Sequence, residues 1–137
     1  MKVNGKVFVV TGGGNGIGRE VVLALLLKGA KVAALDLNAD GLNETARLAA
    51  NEGSLATFVV NITDRPRIEV LLGEVIDRFG QVDGVINVAG IIHPFKRIND
   101  LSYEEIGRVM DVNFWGLLHV VKTFLPELLK RPEGHIC

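Results

Sequence analysis

Apolar positions along the chain alternate between two rhythms. Short, nearly unbroken apolar runs rich in β-branched residues, Val7–Val10, Lys31–Leu35, Ala56–Val60 and Val82–Val88, predict strands. Between them, Arg19–Lys28, Ala39–Asn51 and Arg65–Phe79 carry helical patterns. In the last of these, Ile68, Leu71, Leu72, Val75, Ile76 and Phe79 follow the i, i+3, i+4, i+7 rule and make one buried stripe, as a helix lying on a sheet requires. Gly29, Gly53 and Gly80 each follow a helical stretch, where glycine takes the left-handed conformation that ends a helix. Ser102 and Glu105 have capping-box spacing and open a further helix, predicted to run with a bend to about Lys130. His135–Cys137 begins a last apolar run.

Strands that are apolar throughout, instead of alternating, predict a parallel sheet buried on both faces. Right-handed crossovers wind such a chain into an α/β, three-layer αβα, Rossmann-like doubly wound sheet. The long irregular stretch Ala89–Leu101 follows a strand at the edge where such sheets bind ligands, which makes it a candidate border of the site.

With 137 residues, 48% of them hydrophobic, the chain supports one domain spanning residues 1–137. Its 15 basic and 16 acidic residues are dispersed, so no positive face exists for nucleic acid. The longest apolar run, Val21–Leu27, is far shorter than the roughly 20 residues of a membrane span. One cysteine, Cys137, and no signal-peptide pattern at the N-terminus point to a reducing, cytoplasmic setting. His93, His119, His135 and Cys137 lack metal-ligand spacing, so no metal is expected.

Directly after the first strand comes Thr11-Gly12-Gly13-Gly14-Asn15-Gly16-Ile17-Gly18, and then a helix. Glycines allow a sharp turn and close approach of backbone to a pyrophosphate, while the free N–H groups and dipole of the helix favour the anion. Arg19 stands where a Walker loop needs lysine, and no register satisfies G-x-G-x-x-G. The loop spells T-G-x-x-x-G-x-G on Thr11, Gly12, Gly16 and Gly18. That pattern resembles the short-chain dehydrogenase/reductase family.

Two further segments resemble the same family in register. Asn87-Val88-Ala89-Gly90 is similar to the family's N-x-A-G after the fourth strand, which holds the sheet together and lines the cofactor path. Asp111-Val112-Asn113-Phe114-Trp115-Gly116 resembles the segment carrying the family's catalytic asparagine, here Asn113, which helps hold a water in a proton relay to the active-site lysine. The resemblance covers essentially the whole chain and implies one NAD-binding Rossmann-like domain.

Asp36 closes the second strand twenty residues beyond Gly16, where a carboxylate accepts hydrogen bonds from the adenosine ribose and repels a 2′-phosphate. Relatives preferring NADP carry a basic residue in the glycine loop or after this strand, where Asn15 and Leu37 stand here. NAD is therefore the expected cofactor. Arg19, the nearest cation, has two readings: a weak attraction for a 2′-phosphate, or a cap or surface residue of the helix. Asp36 likewise has a second reading as a mere cap of the next helix. Asn61, in Asn61-Ile62-Thr63-Asp64, replaces the family's aspartate toward adenine and keeps a carbonyl oxygen for the adenine amino group. The residues expected to touch the cofactor are Gly12, Asn15, Gly16, Ile17, Gly18, Asp36, Leu37, Asn61, Ile62, Asn87, Ala89 and Gly90.

The family's acid/base tyrosine and lysine, Y-x-x-x-K, and its upstream serine have no counterpart in these residues. The single tyrosine, Tyr103, has Gly107 four positions on and opens a helix. The family serine is expected shortly beyond Cys137, which makes the chain an N-terminal part ending just after the start of its fifth strand, inactive by itself. Three functions stand open: a fragment of an NAD-dependent alcohol dehydrogenase or carbonyl reductase; a naturally short, noncatalytic dinucleotide-binding or subunit-interaction protein; and another Rossmann enzyme, disfavoured by the loop spacing. A small alcohol or carbonyl compound is the implied substrate; His93, Pro94 and Phe95 have two readings, as contacts to it or as residues that only shape the loop. Excess apolar surface on the helix after Val112, at Phe114, Trp115, Leu117, Leu118, Val121 and Phe124, implies a homodimer or homotetramer, as the corresponding helix does in the family.

Overall fold

A computed structural model describes residues 2–49 and 53–137. The elements run β1 (Val7–Thr11), α1 (Gly16–Leu27), β2 (Lys31–Asp36), α2 (Ala39–Ala49), β3 (Leu55–Val59), α3 (Arg65–Phe79) and β4 (Gly84–Asn87), then α4 (Tyr103–Met110), α5 (Leu117–Leu128) and β5 (His135–Ile136). A 3₁₀ turn, Ile98–Asp100, precedes α4, and a π-helical stretch, Asp111–Gly116, joins α4 to α5. The expected end of the second helix at Asn51, and the helix end that Gly53 was to mark, lie at or against residues outside the described ones.

All strand pairings are parallel, in the order β3-β2-β1-β4-β5. The chain steps from β1 to β2 on one side and returns to β4 on the other, so the winding reverses between β1 and β4. Alternate residues serve opposite layers. Val7, Val9, Ala33 and Leu35 pack with Ile68, Leu71 and Val75 of α3 and Val120 and Phe124 of α5. Phe8, Val10, Val32 and Ala34 pack with Val22, Leu25 and Leu26 of α1 and Leu42 of α2. Each large side chain so buried stabilises the fold by about 1.5–3 kcal/mol.

Boundaries differ from the sequence expectation for local reasons. α1 begins at Gly16, three residues before its apolar pattern, because Gly16 and Gly18 have no side chain to register in a periodicity. β4 is shorter than Val82–Val88: past Asn87, the N–H groups of Val88 and Ala89 turn to the Thr11 hydroxyl instead of a neighbouring strand. Gly29 and Gly80 do end their helices at positive φ, 78° and 82°. The expected bend beyond Ser102 is the π-helical stretch, which accommodates one extra residue per turn. Both halves of the Ser102–Glu105 capping box form. No helix among the described residues is long and apolar enough to cross a membrane.

At the end of the sheet opposite the glycine loop lies a buried carboxylate, Asp83. Its Oδ2 accepts from Val7 N at 2.9 Å and Gln81 Nε2 at 2.6 Å, and its Oδ1 accepts from Arg131 Nε at 2.9 Å. Burial by itself pushes this carboxyl up, but the Val7, Arg131 and Gln81 hydrogen bonds outweigh it and hold the pKa below the ordinary aspartate value. Asp83 thereby ties β1, β4 and the chain beyond α5 together.

Candidate functional site

The carboxyl ends of β1 and β4 meet in register at Thr11 and Asn87, and the chain leaves them in opposite directions. Such a reversal opens a crevice at the strand ends. Buried Thr11 spans it: its Oγ1 accepts from Val88 N and Ala89 N, both at 3.1 Å. Gly12, at φ 72°, lies so close that a Cβ there would meet Ala89 N at 2.9 Å, and a Cβ on Gly18 would run into the Gly12 carbonyl. At Gly12 and Gly18 the loop is therefore packed backbone against backbone, with no room for a side chain.

The loop leads into α1 with an unusual start. Asp64 and Ser102 cap α3 and α4 with side-chain hydrogen bonds, but Asn15 at the head of α1 makes none. The first backbone bond of α1 runs from Arg19 N to Asn15 O, which leaves the amides of Gly16, Ile17 and Gly18 without a helical acceptor. Three free donors at the positive end of a helix dipole, beside a loop that a Cβ would block, fit a pyrophosphate.

Asp36 ends β2 beside this loop. Its Oδ2 accepts from Gly14 N and its Oδ1 from Asn38 N, each at 2.9 Å. The cap of α2 is Asn38, whose Oδ1 accepts from Gly41 N at 3.0 Å, so the reading of Asp36 as a mere helix cap falls. Each Asp36 oxygen retains acceptor capacity toward the cavity it lines. Arg19 resolves as well: its guanidinium donates to the carbonyls of Gly14 and Gly41 and to Thr45 Oγ1, tying the glycine loop to α2.

These groups surround a cavity of about 540 Å³. Of the residues expected to touch the cofactor, Gly12, Asn15, Ile17, Gly18, Asp36, Leu37, Asn61, Ile62, Ala89 and Gly90 line it. Gly16, Asn87 and Asn113 stand outside its wall. Gly16, at φ 48°, turns the loop toward the outer face of α1. Asn87 holds the incoming β5 through Nδ2 to Cys137 O at 3.3 Å, while its buried Oδ1 has no protein partner. The Asn113 carboxamide bonds the backbone of Ile91.

One detail corrects the sequence reading. The Asn61 side-chain oxygen, expected to accept from adenine, already accepts from Thr63 N at 3.0 Å and Thr63 Oγ1 at 2.9 Å. Because Thr63 N can only donate, the atom facing it is the oxygen. The amide Nδ2 is then the Asn61 group left for a ligand. The cavity also takes in Val88, Ile91, Arg108 and Val112, which sequence reasoning did not single out. Val88 stands inside the Asn87–Gly90 segment and Ile91 inside the Ala89–Leu101 stretch expected to border the site, while Arg108 and Val112 carried only their i, i+4 spacing after the capping box.

The family described as short chain dehydrogenase matches residues 6–137, and the chain belongs to it. It is 38% identical over 135 residues to an uncharacterized oxidoreductase of Staphylococcus epidermidis, covering 98% of this chain and 57% of that one. It is 30% identical over 137 residues to the 3-oxoacyl-acyl-carrier-protein reductase FabG of Thermotoga maritima, covering 99% and 55%. The fold matches the crystal structure of NAD+-bound xylitol dehydrogenase with a TM-score of 0.93 at 29% identity, over 99% of this chain and 53% of that one. The chain thus spans about half the length of the relatives it matches.

Proposed function

We propose that the chain binds NAD across the β1/β4 reversal and that the protein is an NAD-dependent oxidoreductase acting between an alcohol and a carbonyl compound. The observation that carries this reading is the pairing of a carboxylate, Asp36, with the uncapped start of α1 at one cavity. The amides of α1 hold the pyrophosphate, and Asp36 accepts from the adenosine ribose hydroxyls and repels a 2′-phosphate. Arg19, spent on the loop and α2, offers no countercharge to such a phosphate. Leu37 and Ile17, both largely exposed, flank the entrance. NAD, when bound, supplies the hydride acceptor, or in reduced form the donor. The NAD+-bound state of the xylitol dehydrogenase neighbour supports the choice of cofactor.

Asn113 acts in the proton relay from a fixed position, its side chain anchored to Ile91 and its backbone in the π-helical stretch. The acid/base work belongs to the serine, tyrosine and lysine that the family requires, which these residues do not include. Tyr103, 94% exposed on α4, is no substitute. The 137-residue polypeptide therefore binds the dinucleotide without turning over substrate. The intact protein is a cytoplasmic homodimer or homotetramer that uses the outer face of the π-helical stretch and α5, where Trp115 and Leu117 stay exposed.

Calorimetric titration of the purified 137-residue chain with NAD and NADP, followed by assay with a panel of alcohols, tests this. NAD binding tighter than NADP binding, with no turnover, is the expected result. Absence of any dinucleotide binding would sink the reading, and turnover by this chain would refute the assignment of the acid/base residues.

A further inference from the structure

The adenine side of the cavity is held from behind by a residue that does not line it. His119, on α5, places Nδ1 3.2 Å from the Ile62 carbonyl oxygen. A carbonyl can only accept, so Nδ1 carries the hydrogen and donates. The same Ile62–Thr63 peptide is gripped at its other end, where Thr63 N donates to Asn61 Oδ1 at 3.0 Å. One peptide plane is therefore pinned at its C=O by His119 and at its N–H by Asn61. Rotating that plane would break both bonds together.

Packing closes off the alternatives. Gly116, one turn before His119, is buried, and a Cβ there would come within 2.7 Å of Ile62 Cγ1. The absence of a side chain at position 116 is what lets the helix approach the loop closely enough for the imidazole to reach it. On its other side, His119 lines a groove of about 420 Å³ between α3 and α5, with Arg65, Glu69, Trp115 and Lys122. The imidazole thus stands between that outer groove and the loop that carries Asn61.

We infer that His119 is a positioning residue for cofactor recognition: it fixes the Ile62–Thr63 peptide, which fixes the Asn61 carboxamide with its oxygen inward and its Nδ2 toward the adenine ring. The inference rests on the reading of the cavity as an NAD site. A donor at Asn61 Nδ2 matches N1 of adenine, which accepts, and meets the N1–H of hypoxanthine, which donates. Adenine is therefore preferred over hypoxanthine only while the peptide is held.

The test compares AMP and IMP binding to the 137-residue chain by calorimetry for the wild type, His119→Ala, His119→Gln and Asn61→Ala. Loss of one positioning hydrogen bond should weaken AMP binding about three- to tenfold in His119→Ala, with little change for IMP. Glutamine, which can donate from a similar reach, should restore most of the preference for AMP. His119→Ala and Asn61→Ala together should cost no more than Asn61→Ala by itself, because they act through one element. If the wild type binds neither nucleotide, the cofactor reading fails. If the wild type binds AMP but the AMP-to-IMP ratio of His119→Ala equals that of the wild type while Asn61→Ala lowers it, or if His119→Gln does no better than His119→Ala, the positioning role is overturned.

Discussion

Asn113 and Ile91 are joined by a two-point clamp: Asn113 Oδ1 accepts from Ile91 N and Asn113 Nδ2 donates to Ile91 O, each at 2.8 Å. The carboxamide thus fastens the loop after β4 to the π-helical stretch, and Ile91 lines the cavity at that point. Asn113→Ala removes both bonds and should destabilise the fold by about 1–3 kcal/mol, read from urea unfolding. Asn113→Asp should be worse than alanine above pH 5, because it keeps the acceptor for Ile91 N but sets a negative oxygen against the Ile91 carbonyl. An aspartate variant as stable as the wild type at pH 7 would show that the clamp contributes nothing.

Asp83 makes stability depend on pH, with a definite sign. Its pKa in the folded state lies below the ordinary aspartate value of the unfolded chain, so its stabilisation is fully present above the unfolded pKa. It is lost as pH falls from about 4 through the lower, folded value. Asp83→Asn strips the charge from a buried site facing Arg131 and Lys6, and should cost about 3–5 kcal/mol at neutral pH. The gap between the urea midpoints of the wild type and Asp83→Asn should therefore be smaller at pH 3 than at pH 7. A constant gap between them at both values would refute the account.

The glycines sort into two kinds. Gly18 has the Gly12 carbonyl where a Cβ would go, whereas Gly73, exposed on α3, has nothing within 4 Å. Gly18→Ala should force the loop open, lowering stability and abolishing dinucleotide binding together. Gly73→Ala should stabilise the chain by about 0.5–1 kcal/mol, since alanine favours a helix interior and meets no obstacle. Thermal melts of the two variants, with NAD titration of each, check the contrast.

The legible part of this molecule is what repeats locally. Val9 and Val10 pack into opposite layers, which is why the strands read as unbroken apolar runs, and the stripe from Ile68 to Phe79 lies on one of those layers as its spacing requires. The glycine loop and Asp36 were readable because both must sit at fixed distances along the chain from a strand end. Long-range partners left no such trace. Thr11 bonds residues 77 and 78 positions away, and Asp83 bonds Val7 across 76. The Asn61 oxygen was misassigned for the opposite reason: its partner, Thr63, is only two residues away, and local side-chain-to-backbone bonding competes with any ligand.

Cofactor choice turns on Asp36 and Arg19 together. In many nucleotide sites a free arginine beside the loop would reward a 2′-phosphate once the carboxylate is gone, so removal of Asp36 alone would reverse the preference. Here the Arg19 guanidinium is bound to the carbonyls of Gly14 and Gly41 and to Thr45, and it does not become free when Asp36 is removed. Asp36→Ala should weaken NAD about 10- to 100-fold through the lost charged hydrogen bonds. It should relieve the repulsion of NADP yet leave the two dinucleotides nearly equal, not reversed. Asp36→Ala also deprives Gly14 N of its acceptor, so part of the loss will fall on both cofactors alike. Adding a cation one position on, as Asp36→Ala with Leu37→Arg, should then tip the balance to NADP, because position 37 is 69% exposed at the cavity rim and its side chain is free to reach. Dissociation constants for NAD and NADP across the wild type and these two variants decide the matter. Strong NADP preference in Asp36→Ala alone would mean that Arg19 leaves its carbonyls at little cost, and that the glycine loop is held by something other than this guanidinium.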